Sequence, residues 1–487
     1  MGSEKQIGKA KYSQVTQYNR DELVTQIVHI GFGAFHRGHQ ALYTDLTNEL
    51  ANERWGICEI NMFGPADLIN DLNQQDGLFT VVEKSASETT TRQIRTVTTG
   101  LHTPDVGIEA AIQKMLETQV KIVSLTITEK GYCVDPQSRQ LDTQHALIIH
   151  DLANPTKPQS AIGLITEALK LRKELGLMPF SVMSCDNIPE NGDLTKKAVL
   201  DFAALRDAEL EQWISENVTF PNTMVDRIVP AMTPEQFEVI EQETGYRDPC
   251  GVVCEDFRQW VVEDNFVAGR PSWEVAGAML VQDVLPYEEM KLRMLNGSHS
   301  FLAYNGSLAG HEFIYQCMEH KELREVTLKL MKDEQAKSLN PSLDVDLDGY
   351  AELLIARFSN ANVKHKTGQI AMDGSQKLPQ RAVDPYMTLR DRGVATRCLP
   401  VLIAGWMHYV IDQIQAGKEV FDPLAQTFEE IVTKETSKLE KAQALLDIEK
   451  IFGGHKAENA LFIQQTINAF KQIEELGVHT VIAELAQ

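Results

Sequence analysis

The sequence predicts an α/β domain followed by a mainly α-helical one, and three observations carry the prediction. Short apolar runs that end in Gly, Thr, Asp or Asn recur through the first part of the chain; one of them leads through a glycine turn into a helix; and helical periodicity takes over from about Pro286. Bounds of 1–285 and 286–487 follow. A chain of 487 residues is in any case too long for a single core.

The first domain opens with QIVHIGFGAFHRGHQALYTDLTNEL, an apolar strand that turns at Gly31 and Gly33 and continues as a helix with Ala41, Leu42, Leu46 and Leu50 inward. WGICEIN at 55–61 reads as the next strand. Strand, glycine turn, helix, strand is the opening unit of a Rossmann-like dinucleotide-binding fold, in which bare backbone lets a pyrophosphate approach the helix N-terminus. Ile30, Gly31, Phe32, Gly33 and Ala34 are therefore candidate cofactor-binding residues. The third glycine of the usual spacing would fall on His36, and Gly38 comes two later. An acid at the end of the second strand should hold the ribose hydroxyls. Glu59 lies within that strand and Asp67 just beyond it, and Asp67 is preferred because strand C-terminal ends face the ligand. An acid there repels a 2'-phosphate and favours NAD over NADP.

Two further strands lie in VKIVSLTITEKGY and PFSVMSCDNIPENGD, so Thr126, Thr128, Glu129, Asp186 and Asn187 at their polar ends should face one cleft. VTFPNTMVDRIVP adds Asp226 and Arg227 between apolar residues, read locally as a structural ion pair.

The second domain opens on KLRMLNGSHSF. On an α-helix at about 100° per residue, taking Lys291 as zero, Glu288 falls near 60°, His299 near 80° and Asn296 near 140°. An amine, an imidazole, a carboxamide and a carboxylate in one arc can abstract a proton and stabilise an oxyanion without a metal. Such spacing also fits a solvated helix face, but Met294, Leu295, Phe301 and Leu302 surround these groups with apolar company.

Composition excludes several classes. A net charge of -23 without a basic stripe excludes a nucleic-acid partner. Seven scattered cysteines imply buried thiols in a reducing cytoplasm, and Cys250 and Cys254 lack the second pair that structural zinc needs. No apolar run reaches the roughly 18 residues of a membrane span, and the N-terminus lacks a signal peptide, so a cytoplasmic location is expected. Met1 and Gly2 would suit myristoylation, but Gln6 replaces the required Ser or Thr. Asp344, Asp346, Asp348 and Gly349 start like a calcium loop, yet Ile355 stands where a bidentate Glu is needed, so an acidic turn capping a helix is expected. HExxH and the phosphate-loop pattern are absent.

Taken together and in order, GFGAFHRGHQALY, SLTITEKGY, VMSCDNIPENG, TFPNTMVDRIVP, KLRMLNGSHSFLAY and AMDGSQKLPQR resemble the polyol-specific long-chain dehydrogenase/reductase family, to which mannitol dehydrogenase belongs. The wording of CDNIPENG, FRQWVVEDNF and LRMLNGSHSFLAY is closest to the branch that acts on sugar acids. The resemblance implies NAD-dependent, metal-independent interconversion of D-fructuronate and D-mannonate. It implies that Lys291 is the general acid/base, that Asn187 and Asn296 form the oxyanion hole, that His299 orients substrate and that Glu288 relays protons. Asp226 then binds substrate hydroxyls, and Phe35 lies beside the cofactor turn; the resemblance also favours a monomer, with a dimer allowed. Mannitol dehydrogenases carry an arginine eight residues before the lysine that matches Lys377; here that position is Gln369, which suits a different substrate. Lys364, His365, Lys366, Lys377 and Arg381 cluster in this stretch, and a carboxylate clamp drawn from them is expected, with His365, Lys377 and Arg381 as its candidates. Rival readings are a tagaturonate or polyol substrate, and a nucleotide-binding regulator without turnover.

Overall fold

The computed structural model of the chain describes residues 6–135, 138–453 and 460–487. Met1 and Gly2 lie outside the described residues. The chain forms two compact units, Met1–Leu285 and Pro286–Gln487.

In the first unit five parallel strands run in the order Val97–His102, Trp55–Asn61, Val24–Ile30, Ile122–Leu125, Ser181–Ser184. The order reverses next to Val24–Ile30, which places a topological switch point at the end of the strand that leads into Gly31. Trp55–Asn61 and Ile122–Leu125 are buried along almost their whole length, as strands inside a parallel sheet covered on both faces are, whereas the edge strand Val97–His102 is only half-buried. The helix after the turn is interrupted: Ala34–Gly38 and Gln40–Leu50 are separated by His39, at φ -128° and ψ -95°. The His39 ring is buried, and its Nε2 lies 3.1 Å from the Gln259 carbonyl, so the break turns this side chain inward. Leu50, expected inward, ends the helix and is exposed. Two smaller sheets complete the unit. One has the order Gln14–Val15, Thr89–Ile94, Phe79–Lys84, Val252–Glu255; the other has the order Met279–Val281, Gln259–Glu263, Thr223–Asp226.

The second unit is helical. Its centre is Cys398–Gln415, whose residues are buried continuously from Cys398 to His408 and which packs against Ala460–Leu476. Asp346 caps the helix Leu347–Phe358, its carboxylate accepting from the Gly349 N–H at 2.9 Å; the acidic turn is a cap. Among the described residues four segments are π-helical: Lys291–Asn296, Leu302–Gly306, Leu330–Gln335 and Pro379–Val383. Pro379 has no N–H to give to the α-helical ladder, which favours a change of register there. All seven cysteines are free and buried. Among the described residues no helix is long and apolar enough to cross a membrane.

Candidate active site

In the first unit the site is built at the C-terminal ends of the parallel strands. Gly31 has φ +107°, and a side chain there would run into the Thr126 carbonyl, so two backbones meet where only glycine fits. The Thr126 hydroxyl donates to the Gly31 carbonyl at 2.8 Å. The Phe32 N–H donates to the Asn61 side chain at 2.9 Å. These bonds fix the turn from both neighbouring strands.

Two clefts flank the turn. One, of about 520 Å³, is lined by Ile30, Gly31, Phe32, Gly33, Asn61 and Thr126, among others. The second, of about 690 Å³, takes in Gly33, Ala34, Phe35, Thr126, Thr128, Glu129, Asp186 and Asn187. Asp186 organises its loop: the carboxylate accepts from the Ile127 and Thr128 N–H groups at 2.9 Å each and from the Tyr132 hydroxyl at 2.7 Å. Burial raises its pKa, and these donors oppose the rise. Asn61 was not foreseen, although a carboxamide ending a strand beside the glycine turn was a readable signal.

Asp67 opens the helix Asp67–Gln74 and is exposed. Glu59 is sealed inside the fold, its carboxyl 2.8 Å from His36 Nε2, so it cannot reach a ribose. His29, His36 and Glu59 bring three ligand-type atoms within 4.8 Å of one another. The His29 and His36 rings, however, stack at 3.4 Å with only 12° between their planes. An imidazole binds a metal along the in-plane lone pair of its nitrogen, and parallel stacked rings cannot both aim at one ion. The cluster is a hydrogen-bonded network beneath the turn: His29 Nε2 lies 2.9 Å from Thr126 Oγ1 and 3.1 Å from the Gly31 carbonyl.

Asp226 is buried at the end of its strand. Arg227 reaches elsewhere, donating to Glu83 at 2.5 Å and to the carbonyls of Gly38 and Glu255, both at 2.6 Å. Its role is structural.

In the second unit Lys291 and Asn296 begin and end one π-helical segment, closed by the Gly297 N–H bonding back to the Leu292 carbonyl. Bonding from i to i+5 brings side chains five apart to within roughly 50° of one another, where an α-helix would hold them about 140° apart. The α-helical wheel therefore understates how nearly Lys291 and Asn296 coincide. Lys291 and His299 are buried at 8% and 9% exposure, and Glu288 is half-buried. The His299 ring packs on Phe358 at 4.4 Å and edge-on to His365 at 5.2 Å. Burial pushes its pKa well down, and His365, Arg357, Arg381 and Lys377 push the same way, so the ring is neutral at physiological pH.

The expected cationic stretch divides. Lys366 is exposed and pairs with Glu312 at 3.2 Å, and Lys364 is exposed. Lys377 donates to the carbonyls of Ile370 and Met372 at 3.0 and 2.6 Å. Arg381 lies in the π segment facing Lys291–Asn296 and donates from Nη1 to the Asn296 carbonyl at 3.2 Å and to Ser300 Oγ at 3.0 Å. Burial pulls the guanidinium down to about 10, leaving it charged.

Comparison with known proteins places this arrangement. Residues 25–275 match the mannitol dehydrogenase Rossmann domain, and residues 283–474 match the mannitol dehydrogenase C-terminal domain. The chain belongs to the mannitol dehydrogenase family. Within that family it is 50% identical to the uncharacterized oxidoreductase YeiQ of Escherichia coli (strain K12), over 96% of either chain. It is 48% identical to the D-mannonate oxidoreductase of the same organism, over 96% of this chain and 97% of that one. The solved ternary complex of Pseudomonas fluorescens mannitol 2-dehydrogenase with NAD and D-mannitol is 36% identical, covers 97% of this chain and 96% of its own, and superposes with a TM-score of 0.79. A member of the mannitol dehydrogenase family with two such matched domains is an oxidoreductase.

Proposed function

We propose that the chain is an NAD-dependent, metal-independent oxidoreductase that interconverts D-fructuronate and D-mannonate in hexuronate catabolism. The observation that carries the choice of a sugar acid over a neutral polyol is the charge around His299. Arg357, Lys377 and Arg381 all bear on that ring, and among the described residues Arg381 has no acidic partner. A cation held in a largely buried position needs a counter-charge, and a uronate carboxylate supplies one where a polyol does not. The 48% identity to a D-mannonate oxidoreductase supports the same choice.

The first unit fits NAD. A glycine cradle that no Cβ could enter and a cleft of about 520 Å³ meet at the strand ends, and a related structure carries NAD. Ile30, Gly31, Phe32, Gly33, Ala34 and Phe35 would hold it, with Thr126 and Glu129 beside them and Asp67 for the ribose. When bound, NAD supplies the hydride acceptor for oxidation and, reduced, the donor for reduction.

The residues of the chain supply the rest. In the oxidation direction the Lys291 amine takes the proton of the substrate hydroxyl, and Glu288 passes it on. Asn296 and Asn187 donate to the oxygen as negative charge develops, a contribution worth roughly 3 to 4 kcal/mol per donor in comparable sites. Neutral His299 orients the substrate, and Asp226 accepts from its hydroxyls.

The test follows NADH absorbance with D-fructuronate, D-tagaturonate and D-fructose in parallel, with EDTA present and Lys291→Ala as control. Turnover of fructuronate above the other two, lost in the variant, is expected. Preference for tagaturonate or fructose would replace the substrate, and NADH binding without turnover of any of the three would point to a regulator.

A further inference from the structure

We infer that Arg381 is a two-edged specificity residue: one edge of its guanidinium holds the π-turn that carries Lys291 and Asn296, and the other receives the substrate carboxylate. The inference rests on the sugar-acid reading above and adds which cation does the recognising, and why recognition should reach the chemical step.

A guanidinium is a rigid planar fork with five N–H donors. Here Nη1 is committed to the Asn296 carbonyl and to Ser300 Oγ. Nε and Nη2 have no hydrogen-bond partner among the described residues, and neither is sealed from solvent. These two atoms form one side of the fork, the side that grips a carboxylate through two parallel bonds. The alternatives are weaker. Lys377 has spent two of its three N–H groups on protein carbonyls, and a lysine cannot make the paired contact. His365 is held below its ordinary pKa, mainly by burial and then by Lys377, so it is neutral at physiological pH. Lys364 and Lys366 are exposed.

The engaged edge matters because of what it touches. The Asn296 carbonyl belongs to the residue whose side chain is the proposed oxyanion donor, and Ser300 lies one turn further along the same helix. The Arg381 carbonyl in turn stands so close to Gly297 that an added Cβ would sit 3.1 Å from it. The two π segments are thus in backbone contact, with the guanidinium pinning one to the other. A carboxylate docked on the Nε and Nη2 side immobilises the whole fork and, through Nη1, the position of Asn296. Binding energy from a part of the substrate that does not react is then used to orient the part of the site that does.

The test is steady-state kinetics of NADH oxidation with D-fructuronate for the wild type, Arg381→Ala, Arg381→Lys and Ser300→Ala, with NADH fluorescence and thermal melts as folding controls. Arg381→Ala is expected to raise KM at least about tenfold and to lower kcat about 100-fold. Arg381→Lys keeps the charge but has no second edge. It should bring KM back to within about threefold of wild type while kcat stays at least about tenfold low. Ser300→Ala, which removes one acceptor from the engaged edge, should lower kcat severalfold with KM unchanged. A rise in KM alone for Arg381→Ala overturns the positioning edge. A fall in kcat alone, fully restored by lysine, overturns the carboxylate edge. If Arg381→Ala does not fold, the KM and kcat split in the other two variants decides by the same criteria. A wild-type protein inert towards fructuronate but active on a neutral ketose would overturn the sugar-acid reading, and the carboxylate edge with it.

Discussion

His36 and Glu59 meet at 2.8 Å, both fully buried beneath the glycine turn, and among the described residues His36 Nδ1 and Glu59 Oε2 have no hydrogen-bond partner. Burial raises the Glu59 carboxyl to about 7 and lowers His36 to about 3. Between the ordinary carboxylate value of 4.5 and about 7 the folded protein holds a proton at Glu59 that the unfolded chain has lost. Its contribution to stability is therefore full below that window and falls as pH rises through it. Glu59→Gln keeps the shape without the titration. Its melting temperature relative to wild type should climb between pH 5 and pH 8, corresponding to a change on the order of 2 kcal/mol. A pH-independent difference would show that Glu59 does not titrate in this range.

Gly31→Ala should damage the cofactor turn directly. The substitution places a Cβ at φ +107° against the Thr126 carbonyl, so the strain of a left-handed residue adds to a backbone clash. A loss of stability of at least about 1 to 2 kcal/mol is expected. NADH affinity, measured by fluorescence titration, should fall at least about tenfold, whereas Gly176→Ala, at a positive φ with open space around it, should leave it unchanged.

Asp186 tests whether the loop at the second cleft is held by a single carboxylate. Asp186→Ala removes the acceptor from the Ile127 and Thr128 N–H groups and from the Tyr132 hydroxyl. The Thr128 N–H can turn to solvent, but leaving the Tyr132 hydroxyl and the half-buried Ile127 N–H unmatched should cost about 1 to 3 kcal/mol in denaturant unfolding. Asp186→Asn, which retains one oxygen, should lose less. KM for NADH should rise in both in the same order.

How much of this was readable depended on whether the relevant partner was local. The strand, Gly31, helix unit was legible because the turn needs glycine whatever surrounds it. The cleft-lining set of Thr126, Glu129, Asp186 and Asn187 was legible because parallel strands deliver their C-terminal ends to one side. Arg227 was misread as a partner of its neighbour Asp226, since sequence adjacency says nothing of Glu83, 144 residues away. The sheet joining Phe79–Lys84 to Val252–Glu255 was invisible for the same reason. The π register of Lys291–Asn296 escaped because periodicity analysis assumes 3.6 residues per turn, and no residue type announces the change.

Gly297→Ala probes that π register where it touches its neighbour. The added Cβ would stand 2.6 Å from Gln335 Nε2 and 3.1 Å from the Arg381 carbonyl. Gln335 is fully buried, its Oε1 accepting from the Ser298 hydroxyl at 2.9 Å, so neither contact can yield without cost. The strain should push Pro379–Val383 away from Lys291–Asn296 and stretch the bond from Arg381 to the Asn296 carbonyl. Overpacking of this kind costs about 1 to 3 kcal/mol. Because the disturbance lies beside the proposed oxyanion donor, kcat should fall more than tenfold. NADH affinity, a property of the first unit, should stay within twofold of wild type. A variant with wild-type kcat would mean that the π-turn tolerates displacement and that Asn296 does not depend on its backbone contact with Arg381.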